Sequence, residues 1–188
     1  MLHRCAALTA IVAAGALAAP ALAAGPAVTG DGFTTTLPDG WTSSAAFASF
    51  GGKAMDFASP GARVDKRTAF PSVGGIGVSV WVASARSVER RLGRLSSNPV
   101  RMMQRITGVP KGAKHIHTIA KPRATRLAGV KAGAMTLSYT YKKRSIVQRD
   151  VAARRGGKIY EIELDVDKKN AAAGRAALQA ILGAWTFS

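Results

Sequence analysis

Apolar residues recur at every second position through most of this chain and at every third or fourth position through three shorter parts of it. In GFTTTLPDGW, Phe33, Thr35 and Leu37 fall on one side of an extended segment, and Pro38-Asp39-Gly40 turns it onto Trp41. Gly51-Gly52 joins a run ending at Phe50 to one holding Met55 and Phe57, which reads as a hairpin. Ile76, Val78, Val80 and Val82 share a face of a further strand. The period then lengthens. Val88, Leu92 and Leu95 follow Ser87 at helical spacing, with Ser87 as the expected cap. Asn98 and Pro99 read as the cap and first residue of a second helix whose stripe is Val100, Met103 and Ile106, and Gly108 and Pro110 end it.

From His115 the pattern is extended again, with a turn at Gly129 and a meander running to Val166. Its last strand has strict period two: Tyr160, Ile162, Leu164 and Val166 on one face, Glu161, Glu163 and Asp165 on the other. The apolar row is expected to pack against Leu178, Ile181 and Leu182 of a final helix capped by Asn170. The acidic row is expected to face solvent and pair with neighbouring Lys and Arg. AWTFS closes the chain as a short strand.

Before Asp31 the composition differs. Arg4, an apolar run from Ala6 to Ala19, Pro20 and the small residues Ala21-Leu22-Ala23 have the layout of a secretory signal peptide cut after Ala23. The expected organisation is a signal peptide over 1–23, a flexible mature start over 24–31 and one domain over 32–188. Cys5, the only cysteine, would leave with the signal, which removes disulfides, thiolate catalysis and thiolate metal ligation together. No segment after the signal has the length and apolarity of a membrane span. The expected location is secreted, periplasmic or associated with the cell envelope.

Charge adds the next constraint. The formal net charge is +17, and nineteen of the Lys and Arg lie between Arg86 and Lys158 beside only Glu89 and Asp150. Such an excess outside the cytoplasm calls for anionic neighbours: an envelope polymer, a lipid surface or an acidic protein. The candidate binding residues are Lys142, Lys143 and Arg144 before one strand of the meander, Arg154, Arg155 and Lys158 after it, and Arg90, Arg94, Arg101 and Arg105 on the outer faces of the helices. About eight residues at roughly 3.4 Å each hold the two meander clusters some 25 Å or more apart, too far to close on one small anion.

Candidate chemistry is sparse. His115 and His117, two apart on a strand, would face one side and are the only weak metal candidates, with no adjacent acid or cysteine to complete a site. Ser72, Ser79, Ser84 and Ser87 lack a Gly-x-Ser-x-Gly elbow. Gly74 to Gly77 precede their strand, whereas a phosphate or dinucleotide loop follows one, so no cofactor is expected. No nucleic-acid-binding motif is present.

Four features occur in one order: GFTTTLPDGW, the VSVWVA strand leading into helices, LAGVKAGAMTLSY, and GGKIYEIELDV before an apolar helix and an aromatic-ended strand. In this the chain resembles the PsbP-like superfamily, including bacterial exported LpqN-like proteins, over nearly all of its length after Asp31. The resemblance implies an α/β (α+β) fold, an antiparallel sheet flanked by helices in an α/β/α sandwich. It also implies a non-enzymatic binding or assembly role, with an exported hydrolase on the same sandwich as the alternative. The strongly basic middle departs from the photosynthetic branch.

Overall fold

The structure is a computed structural model that describes residues 24–46, 49–65 and 70–188. The signal-peptide segment lies outside the described residues, as do Phe47 and Ala48 in the first hairpin. Ten strands and three helices follow one another as β1 (Ala24–Gly30), β2 (Phe33–Pro38), β3 (Thr42–Ala46), β4 (Lys53–Ala58), β5 (Ile76–Ser84), α1 (Ala85–Leu92), α2 (Pro99–Ile106), β6 (Lys114–Leu127), β7 (Val130–Tyr141), β8 (Arg144–Arg155), β9 (Lys158–Asp167), α3 (Ala171–Gly183) and β10 (Thr186–Phe187). Every pairing between them is antiparallel. Seven strands form one sheet in the order β3-β4-β5-β9-β8-β7-β6, and β1-β2-β10 form a second. Ala24–Gly30, expected to be flexible, is a strand because β2 offers it a free edge.

Two-residue turns build the meander, and the residues in them state its geometry. Ala128-Gly129, Lys142-Lys143 and Gly156-Gly157 all have positive φ at both positions, the left-handed pair whose twist matches that of the strands it joins. Gly156 and Gly157 adopt it at little steric cost; Lys142 and Lys143 do so against the clash of their own Cβ.

Both faces of the seven-stranded sheet are covered. On the first, Val78, Val80, Ile162, Leu164 and Val166 pack against Leu178 and Ile181 of α3 and against Phe33 and Leu37 of the small sheet. Trp185 stacks on Phe33 at 4.2 Å with 9° between the rings, and Thr35 Oγ1 donates to the Ile181 carbonyl at 2.6 Å. This is the packing expected of the apolar row. On the second face, Val88 of α1 and Met102, Met103 and Ile106 of α2 lie over Ala83, Ala152 and Ile159.

The cap of α1 is Ser84, three residues before the expected one. Its Oγ accepts from the Ser87 amide at 3.1 Å, and β5 passes into the helix without a loop. Leu95 stays buried although α1 ends at Leu92. Asn98 caps α2 as expected, its Oδ1 accepting from Val100 and Arg101, with Pro99 first in the helix. α2 lies close on β7 because Gly133 has no side chain: a Cβ there would meet the Pro99 carbonyl and come to 2.8 Å from the Met103 Cβ.

Gly133→Ala is therefore expected to lift α2 from the sheet and to cost roughly 1–3 kcal/mol, the range for overpacking a filled interior. Urea unfolding checks this through a lower midpoint at unchanged slope; an unchanged midpoint would mean that α2 rests elsewhere.

Candidate functional site

Pairing of β9 with β5 and β8 sets Glu163 between Ser79 and Asp150, Glu161 between Trp81 and Ala152, and Asp165 between Gly77 and Gln148. Asp56 in β4 stands opposite Ser79 and extends the middle row. Directly opposed residues share a face, so five carboxyls gather on the helix side of the sheet. Asp56, Asp150, Glu161 and Asp165 are buried; Glu163 keeps partial exposure, as do Ser79 and Met135 beside it, and there the row meets solvent. The acidic row expected to face solvent is thus largely interior. Its register is the expected one. What differs is that α1, α2 and the loops around Gly108 and Phe70 cover the face it projects from.

Neutral donors serve these groups. Ser79 Oγ donates to Asp56 Oδ1 at 2.6 Å, and the Tyr139 hydroxyl donates to Asp165 Oδ1 at 3.0 Å. Gln148 Nε2 lies 3.0 and 3.1 Å from the two Asp150 oxygens and 2.9 Å from the Gly108 carbonyl. The three salt bridges among the described residues lie elsewhere.

Burial is the main cause that lifts every carboxyl of the row above its usual range. For Asp150, repulsion from Glu163 adds to it, against the hydrogen bond from Gln148. For Glu161, repulsion from Asp150 and Glu163 adds to it, against a bond from Trp81. Burial, with repulsion from Asp165, lifts Glu163, and burial pushes Asp165 up to about 7 against the hydrogen bond from Tyr139. Asp150, Glu161 and Glu163 each bring an oxygen within 4.8 Å of the others. An all-oxygen set at that spacing suits shared protons or one hard cation of the calcium or magnesium type, and does not suit zinc.

The basic residues named from the sequence are dispersed. Lys142 and Lys143 form one turn of the meander, while Arg154, Arg155 and Lys158 flank the Gly156-Gly157 turn at the other end of β8, roughly 37 Å away at 3.4 Å per residue. Several are engaged within the fold. Arg144 Nε pairs with Asp167 at 2.9 Å and its Nη1 donates to the Pro71 carbonyl at 2.7 Å. Arg154 pairs with Glu89 at 3.1 Å, and Lys158 with Asp31 at 2.8 Å. Arg105 Nε donates to the Leu92 carbonyl at 3.0 Å, and Arg155 lies over the Phe187 ring at 4.9 Å. Arg90, Arg94 and Arg101 are exposed on or just beyond the helices. His115 and His117 are exposed on β6, where φ of +51° at His115 and a register break between Lys114 and His117 interrupt the alternation that would set both on one side.

Two grooves flank these residues. One of about 800 Å³ runs past Arg63, Phe70, Ser72, Tyr141 and Arg144, and one of about 720 Å³ past Glu89, Arg94, Ser97 and Arg154. Neither is lined by a carboxyl of the buried row. No helix among the described residues is long and apolar enough to cross a membrane.

Antiparallel sheets covered by three helices, in this order, make a sheet-dominated α+β fold of the PsbP-like, LpqN-like type. Two solved structures share it. LpqN, involved in cell envelope biogenesis of Mycobacterium tuberculosis, matches with a TM-score of 0.54 and 16% identity over 87% of this chain and 90% of that one. The cyanobacterial PsbP (CyanoP) of Synechocystis sp. PCC 6803 matches with a TM-score of 0.50 and 13% identity over 94% and 98%. No protein-family model and no curated protein matches the chain.

The buried row sets the dependence of stability on pH. A carboxyl whose value is raised in the fold keeps its proton where the unfolded chain has already released it. Folding then costs about 1.4 kcal/mol more per pH unit for each such proton. Stability is expected to fall as pH rises from about 4, through about 7 for Asp165, with the other raised carboxyls adding to the same slope. Asp167, held low by Arg144 and the Gly74 amide, works the other way: its contribution is present above its ordinary value and fades in acid. Thermal melting between pH 4 and 8 checks this, with Glu163→Gln expected to flatten the neutral arm. A melting temperature that climbs towards pH 8 in the presence of chelator would overturn the assignment.

Proposed function

We propose that this protein is an extracytoplasmic, envelope-associated binding or assembly module, non-enzymatic, that meets anionic partners with a basic surface. The observation that carries the reading is the segregation of charge. Five of the ten acidic residues lie in the row under α1 and α2, and three more, Asp31, Glu89 and Asp167, are held in salt bridges. Lys and Arg, twenty-seven in all, have few acids left to face at the surface. The residues before Ala24 act in this reading as a removable export signal. LpqN, a protein of the same fold, is involved in cell envelope biogenesis, which agrees with that setting.

An exported hydrolase is the alternative, and the carboxyl row is what favours it. Against it, four of the five groups are buried and neither groove is lined by any of them, so a substrate would meet at most Glu163.

Two measurements follow. The intact mass of exported protein should fit a chain beginning near Ala24; recovery of a stable chain that retains Met1 to Ala23 would remove the export signal from the proposal. Affinity for heparin and polyphosphate should fall by about tenfold or more as salt rises from about 0.05 to 0.5 M, because exposed charges are screened over about a Debye length. Changing Lys142, Lys143, Arg90, Arg94 and Arg101 to Gln should weaken both ligands alike. Salt-independent affinity, or selectivity for one anion, would indicate a built pocket instead of a surface.

A further inference from the structure

We propose that the end of the large sheet marked by the Lys142-Lys143 turn docks on an anionic lipid bilayer, with Val73, Ile116 and Ile119 entering the interface and the surrounding lysines meeting headgroups. This rests on the anionic-partner reading above and narrows it to one end of the molecule and one kind of surface.

Large apolar side chains are exposed at three positions among the described residues: Val73 at 75%, Ile116 at 51% and Ile119 at 56%. Chain connectivity brings all three to one end of the sheet or next to it. Val73 sits in the loop before β5, which is fastened to that end. The Gly74 amide donates to Asp167 Oδ2 at 2.8 Å, Asn170 Nδ2 donates to the Gly74 carbonyl at 2.8 Å, and Arg144 holds the Pro71 carbonyl. Ile116 and Ile119 lie in the first half of β6, whose residues pair with the last of β7, Lys114 with Thr140, His117 with Ser138 and Thr118 with Leu137. A small core of Phe70, Tyr139 and Ile146, with Val109 and Ala113 against it, ties the two loops to the same end.

Lysines surround these side chains. Lys111, Lys114, Lys142, Lys143, Lys168 and Lys169 are all exposed there. Asp167, the acid at the end of β9, is engaged by Arg144. The turn itself adds an independent sign. Gly156-Gly157 makes the same left-handed turn at the other end of β8, with φ of +56° and +75°, while Lys142 and Lys143 hold +47° and +63°. The backbone asks for glycine or asparagine, and lysine there costs stability. Charge at the tip is retained against that cost.

Cations alone would satisfy a soluble polyanion. Exposed aliphatics set among them gain only from an apolar phase beneath an anionic layer, which a lipid surface supplies. At the opposite end, Arg154 and Arg155 provide cations with none of the three exposed aliphatics, so the molecule contains its own control.

The test uses the full exported chain, vesicles of phosphatidylcholine with and without phosphatidylglycerol, and heparin as a polyanion without lipid. Anionic vesicles should bind the protein and hold part of it at about 1 M salt, where the screening length is about 3 Å and heparin has let go. Val73→Ser with Ile116→Ser and Ile119→Ser should weaken vesicle binding about tenfold and leave heparin unchanged. Lys142→Asn with Lys143→Gly should weaken vesicle binding at least about threefold while raising the melting temperature, which separates lost docking from lost folding. Arg154→Gln with Arg155→Gln should leave vesicle binding as it was. The proposal fails if vesicle and heparin binding vanish at the same salt or if the serine variant loses both equally; the broader anionic-partner reading then stands with a polymer as partner. It also fails if the opposite-end variant is as impaired as the lysine-turn variant. Binding to neither vesicles nor heparin would overturn both readings.

Discussion

A carboxyl taken from water into a covered sheet face must keep its proton, find a cation or leave the fold strained. Five such groups share the helix side of this sheet, and much of the architecture follows from how they are accommodated. Neutral donors, not lysine or arginine, serve them: Ser79, Tyr139, Gln148 and the Trp81 indole. Glu163 and Asp165 stand two apart on one face of β9, and burial raises both above their usual range, which eases the repulsion two carboxylates there would feel. The two faces of the sheet therefore differ in kind. One is a close-packed aliphatic layer under α3; the other combines a small methionine-rich patch under α2 with a hydrogen-bonded acidic layer.

The same arrangement shapes the exterior. Acid withdrawn to the interior cannot neutralise the surface, and the salt bridges that remain act as braces. Arg144 joins β8 to the loop before β5, Lys158 joins β9 to the turn after β1, and Arg154 joins β8 to α1. These cations are committed to the fold. Cations outside these three salt bridges are spread over the helices, the Lys142-Lys143 turn and the edge strand β6, so fold-holding charge and free surface charge are carried by different residues even where they adjoin in sequence.

Much of the frame was legible from sequence because its signals are local. Asn98-Pro99 names a helix start by backbone chemistry alone, and the apolar row Tyr160 to Val166 names its face by period. The location of the acidic row was not local information. A strand half exposed to water and a central strand covered on both sides, with acids on one of them, write the same alternation. The distinguishing sign is that the cross-strand neighbours of Glu161, Glu163 and Asp165 are Trp81, Ala152, Ser79, Asp150, Gly77 and Gln148, none of them basic, and it is visible only once the register is known. Ser84 and Ser87 were ambiguous for a similar reason: either serine suits a cap, and the direct passage from β5 into α1 decides between them. The basic clusters were legible as residues and as separate ends of one strand; which of them the fold engages required the positions of Asp31, Glu89 and Asp167.

The pairing of β10 with β2 carries a consequence for how the molecule is made. Thr186 and Phe187 lie against Thr34 and Phe33, and Trp185 stacks on Phe33. The meander can zip through neighbouring hairpins, but this contact joins residues 152 positions apart and must await a far longer loop closure. Until Trp185 is in place, Phe33 has no ring to stack on and the aromatic layer beside α3 is incomplete. Completion of this core is thereby tied to the least local contact in the fold: the aromatic layer is sealed only when the two ends of the domain meet.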